Sequence, residues 1–251
     1  MIKGVLLDVS GVLYSGSTVI PGAVDAIERL CNAGLPFRLV SNTSRKTAQQ
    51  LLQEISGFGF EITPGELLTA PLAARTLLAE RGLKPFLLAH PELETEFDGM
   101  TGTDAVLVAD AGEAFTHARL DSAFRLLMKG APLYATGVNR YFRSGDGLSL
   151  DAGPFVRALE YAAGVRAIVT GKPSREFFQA AAGSMGLVLN ELIMVGDDIE
   201  NDVLGAREAG LDAMLVRTGK FQAGNEELAG TDSTVSDVAA AVDRILQQSE
   251  H

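Results

Sequence analysis

Short apolar runs, each closing on polar or charged residues, alternate with amphipathic stretches of helical length at both ends of this chain. Residues 2–7 form the first run. Pro21 and Gly22 then open a helix that reaches Asn32, and Gly34 stops it as a helix-terminating glycine does. A second apolar run, 37–40, ends at Ser41-Asn42-Thr43-Ser44. Ala48, Leu51, Leu52 and Ile55 follow at helical spacing until Gly57 and Gly59. The last third repeats the order: strand 167–169, helix 175–185, strand 192–195, a helix from about 202 to 209 stopped by Gly210, strand 213–216, and a closing helix 238–247. Strands joined through helices by short connections cannot pair as hairpins. They pair in parallel.

The middle of the chain has the same alternation but a different texture. Residues 68–81 read as a helix, 85–89 and 105–109 as strands, 120–129 as a helix, 133–136 as a strand and 154–163 as a helix. No strand end in this stretch carries a carboxylate beside phosphate-seeking neighbours. The fold class expected is therefore α/β: a Rossmann-like parallel-sheet core built from 1–68 and 166–251, with a second α/β domain, 69–165, inserted into it.

Composition limits the function. Lys and Arg number 21 against 32 Asp and Glu, a net charge of −11, which argues against binding a nucleic-acid backbone. The same charge repels anionic substrates at long range, so a phosphate site here needs a local cation; a metal ion would supply it. Cys31 is the sole cysteine, so no internal disulfide forms; spaced with Val24, Ile27 and Leu30, it is expected in the core. The amino-terminal apolar run is too short for a signal peptide, and no stretch approaches the ~18 consecutive apolar residues of a membrane span. A soluble, cytoplasmic protein without membrane or nucleic-acid partners is expected.

Four strand ends carry the chemistry: Asp8-Val9-Ser10, Ser41-Asn42, Lys172, and Asp197-Asp198 with Asp202. In a parallel sheet such ends share one edge, where ligands bind. A carboxylate can attack phosphorus, hydroxyl and backbone N–H groups can hold phosphoryl oxygens, a lysine can neutralise them, and acidic residues can bind Mg²⁺. Each piece alone has a plainer reading. Ser41-Asn42-Thr43-Ser44 can be a helix cap, and Asp202 can favour a helix amino terminus. Gly171-Lys172-Pro173-Ser174 mimics the tail of a phosphate-binding loop, but the loop's first glycine is missing and a proline follows the lysine. His90, His117 and His251 share no metal-ligand spacing and are expected at the surface. Joint occurrence, in order, at four strand ends favours a phosphoryl-transfer site.

In that order the segments resemble the haloacid dehalogenase superfamily over essentially the whole chain, and the insertion resembles the large α/β cap of one of its subfamilies. The resemblance implies an aspartyl-phosphate mechanism with Asp8 as nucleophile and metal ligand. It makes Lys172 and Ser41 catalytic, with Ser41, Asn42, Lys172, Val9 and Ser10 around the phosphoryl group. Mg²⁺ would be held by Asp8, the Ser10 carbonyl and Asp197, with Asp202 behind them; Asp198 is left open. It further implies a homodimer through the cap and a small phosphorylated substrate or pyrophosphate, the nearest branch pointing to pyrophosphate and P–N phosphoesters such as phospholysine and phosphohistidine.

Ser10 departs from the superfamily's common pattern, which places a second Asp there to protonate the leaving group and activate water. A hydroxyl does neither near neutral pH, and losing a positioned acid or base costs ~10²–10⁴ in rate, or about 3–5 kcal/mol. Leaving groups that need little protonation fit this change, namely the phosphate expelled from pyrophosphate or the nitrogen of a phosphoramidate. The alternatives are a nucleotide or sugar-phosphate monoesterase whose inserted domain supplies an acid, from loops 110–113 or 139–143 with Arg140 as anion contact, or a weakly active phosphate-binding protein.

Overall fold

The computed structural model describes residues 1–144 and 147–249; His251 lies outside the described residues, as does the side chain of Arg143. The chain divides into two compact units. One comprises Met1–Ser41, Leu52–Leu68 and the chain from Lys172 onward; the other comprises Asn42–Leu51 and Thr69–Gly171.

The first unit is built on a six-stranded sheet in the order Thr234–Val235, Asp212–Val216, Leu192–Gly196, Gly4–Asp8, Phe37–Ser41, Leu67–Thr69. From Thr234–Val235 through Phe37–Ser41 every pairing is parallel, as the strand–helix–strand order predicts. Gly4–Asp8 and Leu192–Gly196 are buried at every position, the signature of a sheet covered on both faces. Among the covering helices, Val238–Ser249 turns Val238, Ala241, Val242 and Ile245 inward. Gly4–Asp8 lies at the point where the strand order reverses, where open α/β sheets form their crevice.

Two expectations fail in this unit. Cys31 is exposed. The helix Ala23–Asn32 buries Ala23, Ala26, Ile27 and Leu30, and Val24 and Cys31, seven positions apart and so in line, flank that face. Leu67–Thr69 is a strand and not the start of a helix: Thr69, in extended conformation, accepts a hydrogen bond from the Leu72 amide at 3.2 Å and caps the helix Ala70–Glu80.

The second unit has its own parallel sheet, in the order Ile168–Val169, Leu133–Ala135, Ala105–Val108, Pro85–Leu88. Alternate residues feed two cores. Leu87, Leu107 and Tyr134 pack with Ala74, Leu78 and Phe97 on one face. Leu88, Val106, Val108 and Leu133 pack with Ala123, Leu127 and Val156 on the other. The strand 167–169 was expected in the first sheet, but Ile168 and Val169 pair with Tyr134 and Ala135. The Thr170 hydroxyl, which bonds Ala135 O and Ala70 O at 3.3 Å each, fixes it there. The division expected at 166 therefore falls after Gly171. Residues 42–51 also belong to this unit, through the Ala48 amide on Glu96 at 2.7 Å and Arg45 on Asp110 at 2.5 Å.

Candidate active site

Register places the first unit's polar groups. Leu7 is level with Val195, so Asp8 stands beside Gly196 and Asp197 one step beyond. On the other side Asp8 is level with Val40, which puts Ser41 one step beyond. Asp8 and Ser41 are buried at strand ends, at 8% and 7% exposure, and Asp197 at 1%. Asp8 is thus flanked by Ser41 and Asp197, as the convergence of strand ends predicts.

Lys172 reaches the same place without a strand of its own sheet. Buried just ahead of the helix Arg175–Ser184, its ammonium donates to Asp8 Oδ1 at 2.5 Å and lies 2.7 Å from Asp202 Oδ1. Burial disfavours its charge, but the two carboxylates outweigh this and hold the ammonium above the usual lysine range. Asp202 is fully buried, and its other oxygen accepts the Asp198 amide at 3.2 Å. Asp202 thus faces the lysine and the backbone, behind the sheet edge. Burial, more than Lys172 can offset, keeps its carboxyl above the ordinary range.

One oxygen each of Asp8, Asp197 and Asp202 lie within 4.8 Å of one another. Asp197 Oδ2 accepts the Lys220 amide at 2.7 Å, whereas its buried Oδ1 has no hydrogen-bond partner. Two glycines hold this carboxylate: a Cβ on Gly11 would stand 2.0 Å from Asp197 Oδ2, and one on Gly219 1.9 Å from it. Both have positive φ, 86° and 60°, and Thr218 ties them by donating its hydroxyl hydrogen to the Gly11 carbonyl. Burial first, and then the Asp8 charge, push the Asp197 carboxyl up to about 7. An orphaned carboxylate oxygen beside two other acids fits a divalent cation.

The turn Thr218-Gly219-Lys220 is the part of the site missed in the sequence. Asp198 resolves into a structural residue: its carboxylate accepts the amides of Glu200 and Asn201 at 3.1 and 3.0 Å, capping the turn that follows. Val9 has its side chain in the core, at 1% exposure, so only its backbone is available to a ligand. Ser10 is exposed. Asn42 and Arg140 belong to the second unit, where Arg140 is exposed beside the Tyr141 ring at 6.0 Å. In that unit Asp110, a candidate acid, is engaged by Arg45 at 2.5 and 3.3 Å. Within the second unit His90 accepts the Glu92 amide through Nδ1, and His117 is exposed.

Residues 5–101 match the family model described as haloacid dehalogenase-like hydrolase, and residues 169–242 match a second described as HAD-hydrolase-like. The chain is 40% identical over 259 residues to the human phospholysine phosphohistidine inorganic pyrophosphate phosphatase, covering 99% of this chain and 96% of the relative. It is 40% identical over 250 residues to the human haloacid dehalogenase-like hydrolase domain-containing protein 2, covering 98% and 96%. Among solved structures, a 4-nitrophenylphosphatase from Thermotoga maritima superposes with a TM-score of 0.87 at 25% identity, covering 96% of this chain and 97% of that one. Matched along both outer segments and by full-length relatives, the chain belongs to the haloacid dehalogenase-like hydrolases.

Proposed function

We propose that the chain is a Mg²⁺-dependent phosphohydrolase that works through an aspartyl-phosphate at Asp8, with pyrophosphate and P–N phosphoesters as substrates. The observation that carries it is the meeting of Asp8, Lys172 and Asp197 at one sheet edge, with an exposed serine two residues after the nucleophile. The printed names of the relatives at 40% identity support the substrate class.

Asp8 attacks phosphorus, the bond to the leaving group breaks, and the leaving group departs with its electron pair. Water then attacks phosphorus of the acyl phosphate and returns the carboxylate. Lys172, clamped by Asp8 and Asp202, aligns the attacking carboxylate and neutralises the phosphoryl oxygens. The Ser41 hydroxyl, on the residue that ends the neighbouring strand, donates to the same oxygens in this reading. Asp8, Asp197 and the Ser10 carbonyl would hold the cation, which supplies positive charge against the phosphoryl group. Ser10 carries no proton that it can give up near neutral pH, so the leaving group must depart largely unaided.

That reading makes a differential prediction. Ser10→Asp restores a carboxyl group where protonation is needed, so kcat/KM for an alkyl phosphate should rise about 10²-fold or more, while that for pyrophosphate should rise far less. Equal gains on both would remove the leaving-group explanation. Strong wild-type activity on one sugar phosphate with none on pyrophosphate would instead favour a monoesterase.

A second prediction follows from Asp197. Its folded carboxyl titrates at about 7, above the ordinary value of 3.8, so its contribution to stability is fully present below 3.8 and is lost as pH rises through 7. A cation replaces that proton and reverses the loss. The thermal stabilisation produced by added MgCl₂ should therefore be larger at pH 8 than at pH 6, measured by calorimetry. A gain that is equal at both, or larger at pH 6, would contradict the assignment of Asp197 as a ligand.

A further inference from the structure

We infer that Lys220 is a specificity-determining residue of this site, its ammonium receiving the second, departing phosphate of a pyrophosphate substrate. The inference rests on the phosphohydrolase reading above and adds a residue that none of the four strand-end segments contains.

Position comes first. The Lys220 amide bonds Asp197 Oδ2 at 2.7 Å, so this residue begins at the acidic cluster. Its ammonium lies 3.0 Å from Asp198 Oδ2, and its side chain is 66% exposed. Asp198 already accepts the amides of Glu200 and Asn201 and the Asn201 side chain, at 3.0–3.1 Å, and does not need a cation to satisfy it. An ammonium has three donors, and Asp198 takes one. The lysine is thus tethered at the cluster with donors to spare.

Charge gives the reason. Lys220 puts a largely exposed ammonium in ion-pair contact with Asp198, one residue beyond the glycine that cradles Asp197. Pyrophosphate brings two anionic phosphates to a protein of net charge −11. Lys172 is buried between Asp8 and Asp202 and can meet only the phosphoryl group under attack. The departing phosphate requires a second cation farther out, and Lys220 is one. A neutral alcohol leaving group makes no such demand.

The test is a split between substrates. Wild type, Lys220→Gln, Lys220→Met and Lys220→Arg are assayed with Mg²⁺ on pyrophosphate and on 4-nitrophenyl phosphate, and competition by imidodiphosphate and by orthophosphate is measured in parallel. Losing a charge-assisted contact to the second phosphate should lower kcat/KM for pyrophosphate about tenfold to a hundredfold more than that for 4-nitrophenyl phosphate. Imidodiphosphate should weaken more than orthophosphate, and arginine should restore much of both. If the wild type hydrolyses pyrophosphate but the neutral variants lose both substrates in proportion, or arginine restores neither, the inference is overturned and the phosphohydrolase reading stands. If the wild type fails on pyrophosphate, the substrate reading falls and takes this inference with it.

Discussion

Asn in place of Asp8 should lower kcat by about 10⁴-fold or more while the protein stays folded. The amide is close in shape to the carboxylate but has no charge with which to attack phosphorus. Stability should not suffer. Asp8 is one of three acids crowded within 4.8 Å, with one lysine among them. Its charge helps to raise the Asp197 carboxyl, so removing it relieves repulsion, and Lys172 keeps Asp202. Calorimetry without added metal should show a thermal midpoint for Asp8→Asn no lower than wild type. Turnover within tenfold of wild type would rule out Asp8 as the nucleophile.

The second large effect is on stability. Lys172→Met removes the cation that two buried carboxylates share, and breaking a buried ion pair from one side costs about 3–5 kcal/mol. Methionine fills similar space, so the loss reports charge and not a cavity. The penalty has a sign in pH. Asp202 lies 2.7 Å from the ammonium, and with the lysine gone its buried carboxylate is left uncompensated. Such a group takes up a proton as pH falls, so the penalty should shrink from pH 8 to pH 5. Chemical denaturation of wild type and variant at both values measures it. A cost below about 1 kcal/mol at pH 8 would mean that the Lys172–Asp202 pair contributes little.

The sheet and the strand ends were legible because local patterns encode them. Apolar runs closing on Asp8, Ser41 and Asp197 mark strands whose ends a parallel sheet must align, and the register does align them. Lys172 was found by its place in the order of segments, although the strand before it, Ile168–Val169, pairs in the other sheet. An apolar pair of residues shows that a strand exists, but not which of two parallel sheets accepts it. Thr218-Gly219-Lys220 was invisible for a similar reason. Nothing in those residues indicates that an amide 23 positions from Asp197 in the chain will close on its carboxylate, or that Gly11 and Gly219 leave room for it. Asp198 was ambiguous until its two amide contacts showed it to be a cap. Cys31 was misplaced because helical spacing alone does not separate the centre of a buried face from its edge.

The central claim is covalent, and a chemical trap tests it most directly. Wild-type protein turning over pyrophosphate with Mg²⁺ should be quenched and reduced with borohydride, which converts an aspartyl-phosphate to homoserine, and its peptides read by mass spectrometry. Homoserine at position 8, absent from Asp8→Asn and from protein without substrate, is the expected result. Steady turnover with aspartate unmodified at position 8, or with homoserine at another residue, would contradict it.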